Sequence, residues 1–352
     1  MALEKLLSTS ITFWLIFKGK VMFGRILVTG GAGFIGSHVV TALIQEGYKV
    51  GIIDDLRNSK LDAVHRLMEI TESEIDFFKV DILVTKDVLK VFEDFQPVSV
   101  IHLAADKSPS ESIREPVKYY RNNMMGLCNV LDSMKLVECD KIVFSSSATV
   151  YGAPPSLPIT EEMLTAPTNA YGRSKLFGEA LIQDWCDCSP ARGAVSLRYF
   201  NPAGAHQSGL IGENPEQAEN IFPKIFKSIN NAVPLKIYGD DYDTRDGTGE
   251  RDFIHVMDLA DVHTSVVTGL LKREGYEFFN VGTGVGTTVL ELVSMMSKVS
   301  GVDIPTEIVS RRPGDVGSAF ADATRIEKIY GWSAKYNLES MCRDSWNWIN
   351  SQ

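Results

Sequence analysis

The 352-residue chain has no hydrophobic run long enough to cross a bilayer. The apolar stretch near its start, residues 11–17 (ITFWLIF), is seven residues long, and a spanning helix needs about 20. It also reads poorly as a signal peptide, because Lys18 and Lys20 follow where small residues should mark a cleavage site. Cysteine is sparse. Cys128, Cys139, Cys186, Cys188 and Cys342 form no ligand quartet, and Cys186-Asp-Cys188 reads as two reduced thiols on a helix. No metal site is therefore expected. With no N-x-Ser/Thr sequon either, the natural setting is a reducing, cytoplasmic compartment. Positive charge is short as well: 35 Lys and Arg against 45 Asp and Glu leave a net charge of −10. That argues against a nucleic-acid or acidic-membrane partner. An acidic protein that binds an anion must gather its few cations in one place. Internal repeats and low-complexity segments are absent, so a solenoid is excluded.

What is present is concentrated in residues 26–38, ILVTGGAGFIGSH. Ile26, Leu27, Val28 and Thr29 have the continuous apolar character of a buried parallel strand. Gly30, Gly33 and Gly36 follow as G-x-x-G-x-x-G, and residues 39–46 have a helical pattern. Such glycines turn the chain off the strand, let a pyrophosphate approach the backbone, and let the helix pack close to the sheet. The N–H groups at the helix start then suit an anion. A second strand, residues 49–53, ends in Asp54, 18 residues after Gly36. A carboxylate there takes the hydroxyls of an adenosine ribose and repels a 2′-phosphate, which favours NAD over NADP. Arg57, nearby, bears on that choice.

Further strand-like runs at residues 75–80, 98–103, 141–145 and 194–199 alternate with helical patterns at 86–95, 117–136 and 169–185. Strands and helices alternating at this spacing predict an α/β fold, a doubly wound Rossmann-type parallel sheet. From Asn201 onward longer polar loops appear, notably residues 239–251, and residues 278–281 read as a strand returning to the sheet. The expected division is an N-terminal extension (1–21), a dinucleotide-binding domain (22–200) and a smaller mixed α/β substrate domain (201–352). Ligands in such sheets sit beyond the carboxyl ends of the strands.

One candidate catalytic group lies in Tyr171-Gly-Arg-Ser-Lys175, which places a phenol and an ammonium one helical turn apart on one face. A free tyrosine titrates near pH ~10 and needs a neighbouring cation to act as a base at neutral pH. Ser145-Ser-Ser-Ala-Thr149 closes a strand at the same sheet edge and supplies a hydroxyl to share a substrate proton.

The TGGAGFIG loop, the Ser147/Tyr171/Lys175 trio and the long C-terminal half resemble the extended short-chain dehydrogenase/reductases. The stretches HLAADKSPSES, YRNNMMG, FSSSATVYG, RYFNPAGAHQSG, DGTGERDFIHVMDLADVH and RRPGD look more narrowly like the UDP-glucose (UDP-galactose) 4-epimerases, from about Met22 to the C-terminus. That resemblance implies a mechanism. Tyr171 removes the proton of the sugar 4-hydroxyl as hydride passes from C4 to NAD. Ser147, with Thr149, hydrogen-bonds the same oxygen, while Lys175 holds the ribose and lowers the Tyr171 pKa. The 4-keto sugar then turns and takes hydride back on its other face. NAD, unchanged overall, stays bound.

The resemblance also assigns binding residues. For the cofactor they are Gly30, Gly33, Phe34, Ile35, Gly36, Asp54, Asp55 and Asn58, with Asp81 and Ile82 near the adenine. Leu103, Lys107, Asn123, Ser145, Lys175 and Tyr199 follow. For the UDP-sugar they are Ser147, Ala148, Thr149, Tyr171, Phe200, Asn201, Asn220, Ile221, Lys236, Tyr238 and Asp315. Arg251 and Arg312 are the cations whose planar forks suit diphosphate oxygens, unless each pairs with a nearby acid, Asp252 or Asp315. Tyr238 offers a face for the uracil. Ala319, five residues after Gly314, stands where epimerases restricted to plain hexoses carry a bulky aromatic. UDP-GlcNAc and UDP-GalNAc are therefore expected substrates beside UDP-glucose and UDP-galactose. Alternatives are a UDP-pentose or UDP-glucuronate 4-epimerase and, from another class, a non-catalytic NAD-sensing regulator. A 4,6-dehydratase would want an Asp-Glu pair where this chain has Ala148-Thr149. The helical segments 117–136 and 169–185 carry apolar faces that in the family form a homodimer contact.

Residues 1–21 fit none of this and read as a dispensable extension. A chain begun at Met22 is expected to keep full activity in an epimerase assay, and loss of activity on that truncation counts against the reading.

Overall fold

The computed structural model describes residues 15–17, 20–22, 24–214, 220–312 and 315–352. Most of the N-terminal extension, with Pro313 and Gly314 of the RRPGD motif, lies outside the described residues. Within the extension, Leu15–Phe17 pairs antiparallel with Lys20–Met22, and this pair joins no other described sheet.

Seven strands form one parallel sheet: β1 (Arg25–Thr29), β2 (Lys49–Ile53), β3 (Asp76–Phe78), β4 (Ser99–His102), β5 (Lys141–Ser147), β6 (Gly193–Tyr199) and β7 (Gly275–Val281). Their spatial order is β3-β2-β1-β4-β5-β6-β7. Both faces are covered, which is why the strands read as continuous apolar runs. In β1, Ile26 and Val28 enter the core on one face and Leu27 the core on the other. The first core takes Val39 and Leu43 from helix Phe34–Gln45 and Leu259 and Val266 from helix Val256–Leu270. The second takes Phe92 from Thr85–Phe95, Leu127 from Gly126–Leu136 and Ile182 from Ala170–Asp187.

Several boundaries differ from the sequence-based expectation. The helix after the glycine loop begins at Phe34 rather than 39, so Gly36 lies inside it. A Cβ at Gly36 would stand 2.1 Å from the Gly30 carbonyl oxygen, so close packing overrides glycine's poor helix propensity. The expected single helix 117–136 is interrupted by a π-turn, Arg121–Met125, between Pro116–Tyr120 and Gly126–Leu136. That turn buries Asn122 and Asn123. Strand β3 is only three residues long, as an edge strand with one neighbour. Helices Leu61–Thr71 and Val256–Leu270 were not anticipated. The return strand exists and is longer than expected, pairing with β6 from Gly275 to Val281.

The rest of the C-terminal half builds a smaller layer. Glu250–His255 pairs with Asn201–Ala203, Gly286–Thr288 and Ser318–Ala319, while Leu235–Tyr238 pairs with Thr306–Val309. Helices Ile221–Asn231, Val289–Ser300 and Leu338–Asn350 contribute Phe222, Phe226, Leu292, Met296 and Cys342 to its core.

Candidate active site

The carboxyl ends of β1, β2 and β4 open into a cleft of ≈ 910 Å³, counting its open mouth. Gly30 turns the chain there with φ +72°, and a Cβ on it would meet the Ala104 nitrogen at 2.8 Å. Gly33 caps the following helix without a side-chain hydrogen bond, so no side chain occupies the helix start. Gly30, Gly33, Phe34, Ile35, Gly36, Asp54, Asp55, Asn58, Ile82, Leu103, Lys107 and Ser145 all line this cleft. Asp81, Asn123, Lys175 and Tyr199 are not among its lining residues.

Asp54 is buried and accepts from the Ala32 amide (3.1 Å), the Leu56 amide (2.9 Å) and the Ser59 hydroxyl (2.8 Å). Burial still raises its pKa, against those hydrogen bonds. Arg57 pairs with Asp55 at 2.6 Å and Asp81 at 3.2 Å, so its charge is already engaged. Lys107 pairs with Glu213 at 3.2 Å, and the Asn220 amide donates to the same Glu213 oxygen at 2.7 Å. Asn123 reaches the Ser174 hydroxyl at 3.0 Å and so links the π-turn to the helix of Tyr171.

At the end of β5, the Thr149 amide and hydroxyl both donate to Ser147 Oγ, at 3.2 and 2.9 Å. Tyr171 and Lys175 face them from helix Ala170–Asp187, with Lys175 Nζ 5.9 Å from the Tyr171 ring centre. Lys175 is buried and donates to the Ser145 carbonyl at 2.7 Å. Burial, opposed by Glu179, pushes its ammonium down to about 7. Burial raises the Tyr171 phenol, with the Ser147 hydroxyl pulling the other way. Burial is the larger of these two causes, and Lys175 is not one of them. Tyr199 bonds His263 Nε2, and Ser145 partly offsets the burial that raises its pKa.

On the other side, Arg251 pairs with Asp315 rather than Asp252, and its Nη1 donates to the Glu250 and Gly317 carbonyls. Arg312 lies 3.7 Å above the Tyr238 ring. Asn220 and Ile221 begin helix Ile221–Asn231, Lys236 is exposed on Leu235–Tyr238, and Asn201 is exposed beside Phe253. Phe200 belongs to a small apolar cluster with Tyr151 and Ala321, against which Ala148 and Ala319 pack.

Two groups escaped the sequence reading. His102 bonds the Thr29 hydroxyl at 2.8 Å, and burial holds it neutral with a pKa near 3. Glu179, one turn beyond Lys175, forms a buried pair with Arg198. Its i+4 spacing from Lys175 was the available signal. Among the described residues no cluster is arranged to hold a metal ion, and no helix is long and apolar enough to cross a membrane.

Comparison with known proteins places this geometry. Residues 27–345 match the family model described as GDP-mannose 4,6 dehydratase. The chain is 49% identical to a UDP-glucose 4-epimerase of Dictyostelium discoideum over 92% of its length and 95% of that protein. It is 44% identical to a bifunctional UDP-glucose 4-epimerase and UDP-xylose 4-epimerase of Arabidopsis thaliana, covering 94% of this chain and 97% of that one. The crystal structure of UDP-glucose 4-epimerase from Bifidobacterium longum, in complex with NAD+ and UDP, superposes with a TM-score of 0.88 at 41% identity. That match covers 93% of this chain and 98% of that one. The chain belongs to the UDP-glucose 4-epimerase family of extended short-chain dehydrogenases/reductases.

Proposed function

We propose that the protein is an NAD-dependent isomerase that interconverts UDP-glucose and UDP-galactose at C4. The observation that carries this reading is the meeting of Ser147, Tyr171 and Lys175 at the end of β5, whose Ser145 lines the large cleft. NAD fits that cleft on three counts. At Gly33, where a Cβ would meet only the Gly30 carbonyl oxygen at 3.3 Å, the missing side chain leaves room for a close backbone approach, and the start of helix Phe34–Gln45 carries no side-chain cap that would compete for a pyrophosphate. Asp54 presents a carboxylate at the end of β2, and Arg57, already held by two acids, offers little to a 2′-phosphate.

NAD, when bound, supplies a hydride acceptor that gives back what it takes. The chain's own residues do the rest. Tyr171 takes the proton of the sugar 4-hydroxyl and later returns it. Ser147, bonded by Thr149, holds that oxygen within reach, and the Lys175 ammonium steadies the ribose. Arg251, Arg312, Lys236 and Asp315, with Asn201, Asn220, Ile221 and Tyr238, grip the UDP, so the sugar can turn between Ala148, Phe200 and Ala319 without leaving. A second reading, 4-epimerisation of a UDP-pentose as well, is favoured by the bifunctional Arabidopsis relative. The small side chain at Ala319 favours acceptance of UDP-N-acetylhexosamines. The reading also includes a cytoplasmic setting and a homodimer, formed through the exposed Ile113, Val117, Met125, Leu136 and Phe177.

Purified protein incubated separately with UDP-galactose, UDP-GalNAc, UDP-xylose and UDP-glucuronate is expected to convert the first two to their C4 epimers. Conversion of none sinks the proposal. Tyr171→Phe should lower kcat by roughly 100- to 10,000-fold, the usual worth of a positioned acid–base group. Near-normal turnover in that variant rules the mechanism out. Ala319→Tyr should cut UDP-GalNAc turnover by about 100-fold while sparing UDP-galactose, and equal effects on both would dismiss the size argument. Light scattering should give twice the chain mass; a monomer contradicts the dimer.

A further inference from the structure

We propose that Tyr119 is a positioning residue for Tyr171: its buried ring, anchored at the far hydroxyl, holds the Tyr171 phenol at the angle its acid–base work requires. The proposal deepens the function proposed above and rests on it.

The backbone of Tyr171 is fixed by the helix it stands in. Asn169 caps helix Ala170–Asp187 by accepting from the Gly172 amide at 2.8 Å, and the Ser174 hydroxyl donates to the Tyr171 carbonyl at 2.8 Å. A Cβ on Gly172 would stand 2.8 Å from the Thr149 carbonyl oxygen, so the first turn lies hard against the end of β5. None of these contacts fixes the side chain. A tyrosine ring leaves its backbone through two rotatable bonds. A small rotation about either swings the hydroxyl, at the far end, away from its target.

The ring beside it is Tyr119. The two meet edge to face, with centres 6.4 Å apart and planes at 82°, an arrangement that aromatic pairs prefer. Tyr119 is fully buried, so it has no open space to swing into. Its hydroxyl donates to Glu111 Oε2 at 2.8 Å and accepts from the Ser108 amide at 3.0 Å. Glu111 is held in turn by Lys118 at 2.7 Å. The short helix that carries Tyr119, Pro116–Tyr120, is also tied to the catalytic helix further out, where Tyr120 stacks on Phe177 with centres 6.1 Å apart. Tyr119 is no rival base. Burial, and then its bond to Glu111, raises its pKa, and its hydroxyl is committed to Glu111 and Ser108. It therefore acts on the chemistry only through the ring of Tyr171.

The test is steady-state epimerisation of UDP-galactose by the purified full chain. Tyr119→Leu keeps an apolar side chain and removes the ring. It should lower kcat by about 10- to 100-fold, the cost of misplacing a reacting group, with KM within about twofold of wild type. Tyr119→Phe keeps the ring and removes the hydroxyl. It should hold kcat within about threefold while its melting temperature falls, because Glu111 and the Ser108 amide each lose a partner. A merely structural residue would instead lose turnover in step with melting temperature in both variants, which overturns the proposal. In a Tyr171→Phe background, Tyr119→Leu should cost less than about a further twofold, since no phenol is left to position. A further loss of about tenfold there overturns the proposal, as does Tyr119→Leu with kcat within about twofold of wild type. Should Tyr119→Leu not fold, Tyr119→Phe decides alone. Retained kcat with a lowered melting temperature supports the proposal, and a loss of kcat beyond about threefold overturns it. Wild-type protein that converts no UDP-sugar removes the functional reading together with this one, so the two failures are distinguishable.

Discussion

The ion pair between Glu179 and Arg198 is the interaction on which the site's geometry depends. Both side chains are almost fully buried. A buried pair tolerates that position only if its remaining donors and acceptors are satisfied. Here they are. Arg198 donates from Nε at 2.9 Å and Nη2 at 2.6 Å to the two oxygens of Glu179, and from Nη1 to the Tyr151 hydroxyl at 2.8 Å. Ser146 donates to the same carboxylate, and the Tyr151 hydroxyl donates to Asn280 Oδ1 at 2.7 Å. The Phe278 ring lies 4.1 Å from the guanidinium. One charge pair thus joins β5, β6, β7 and the helix that bears Tyr171 and Lys175. Ser146 precedes Ser147 in β5 and Glu179 follows Lys175 by one turn, so the pair sets the distance between the hydroxyl and the phenol from beneath.

Charge is organised just as tightly above the sheet. A protein of net charge −10 has to hold its cations near an anionic ligand without letting its own acids neutralise them for good. Lys175 achieves this by burial against the Ser145 carbonyl, and the nearest acid, Glu179, is already committed to Arg198. Arg312 achieves it by lying on an aromatic ring, which leaves its donors free. Arg251 and Lys107 are instead paired with Asp315 and Glu213, and Arg251 is held further by the Glu250 and Gly317 carbonyls. Their partners keep these cations oriented.

Much of this was legible in the chain. The glycine loop, Asp54 and the Tyr-x-x-x-Lys spacing are local signals, and the parallel sheet follows from strands that are apolar on both faces. What was hidden depended on contacts distant in sequence. The extended start of helix Phe34–Gln45 was obscured because Gly36 argues against a helix locally, while the Gly30 carbonyl that requires it lies outside the helix. The π-turn at Arg121–Met125 leaves no mark on periodicity, since one added residue shifts the pattern only slightly. Helix Val256–Leu270 was masked because its buried residues include Asp258, His263 and Thr264, which interrupt the apolar stripe. The Glu179–Arg198 pair joins residues 19 apart on different elements, so only the fold brings them together.

On the proposed function, the size of the side chain at Ala319 sets a substrate limit, and the strand around it decides how firmly. Ala319 is in register with Arg251, so the residues proposed for the sugar pocket and for the diphosphate grip sit side by side in one small sheet. The strand cannot drift to relieve a larger residue. Asp252, fully buried, accepts from the Ala321 amide at 3.1 Å and from the Thr283 and Gly284 amides at 2.8 and 3.0 Å. On the opposite edge, the Ile159 amide donates to the Phe320 carbonyl and the Asp322 amide to the Ile159 carbonyl, both at 2.8 Å. With the backbone pinned on both sides, added volume at position 319 presses on the cluster of Phe200 and Tyr151 against which Ala319 packs. On the proposed function, a change of side chain at 319 then alters the sugar pocket while Arg251, on the neighbouring strand, keeps its place.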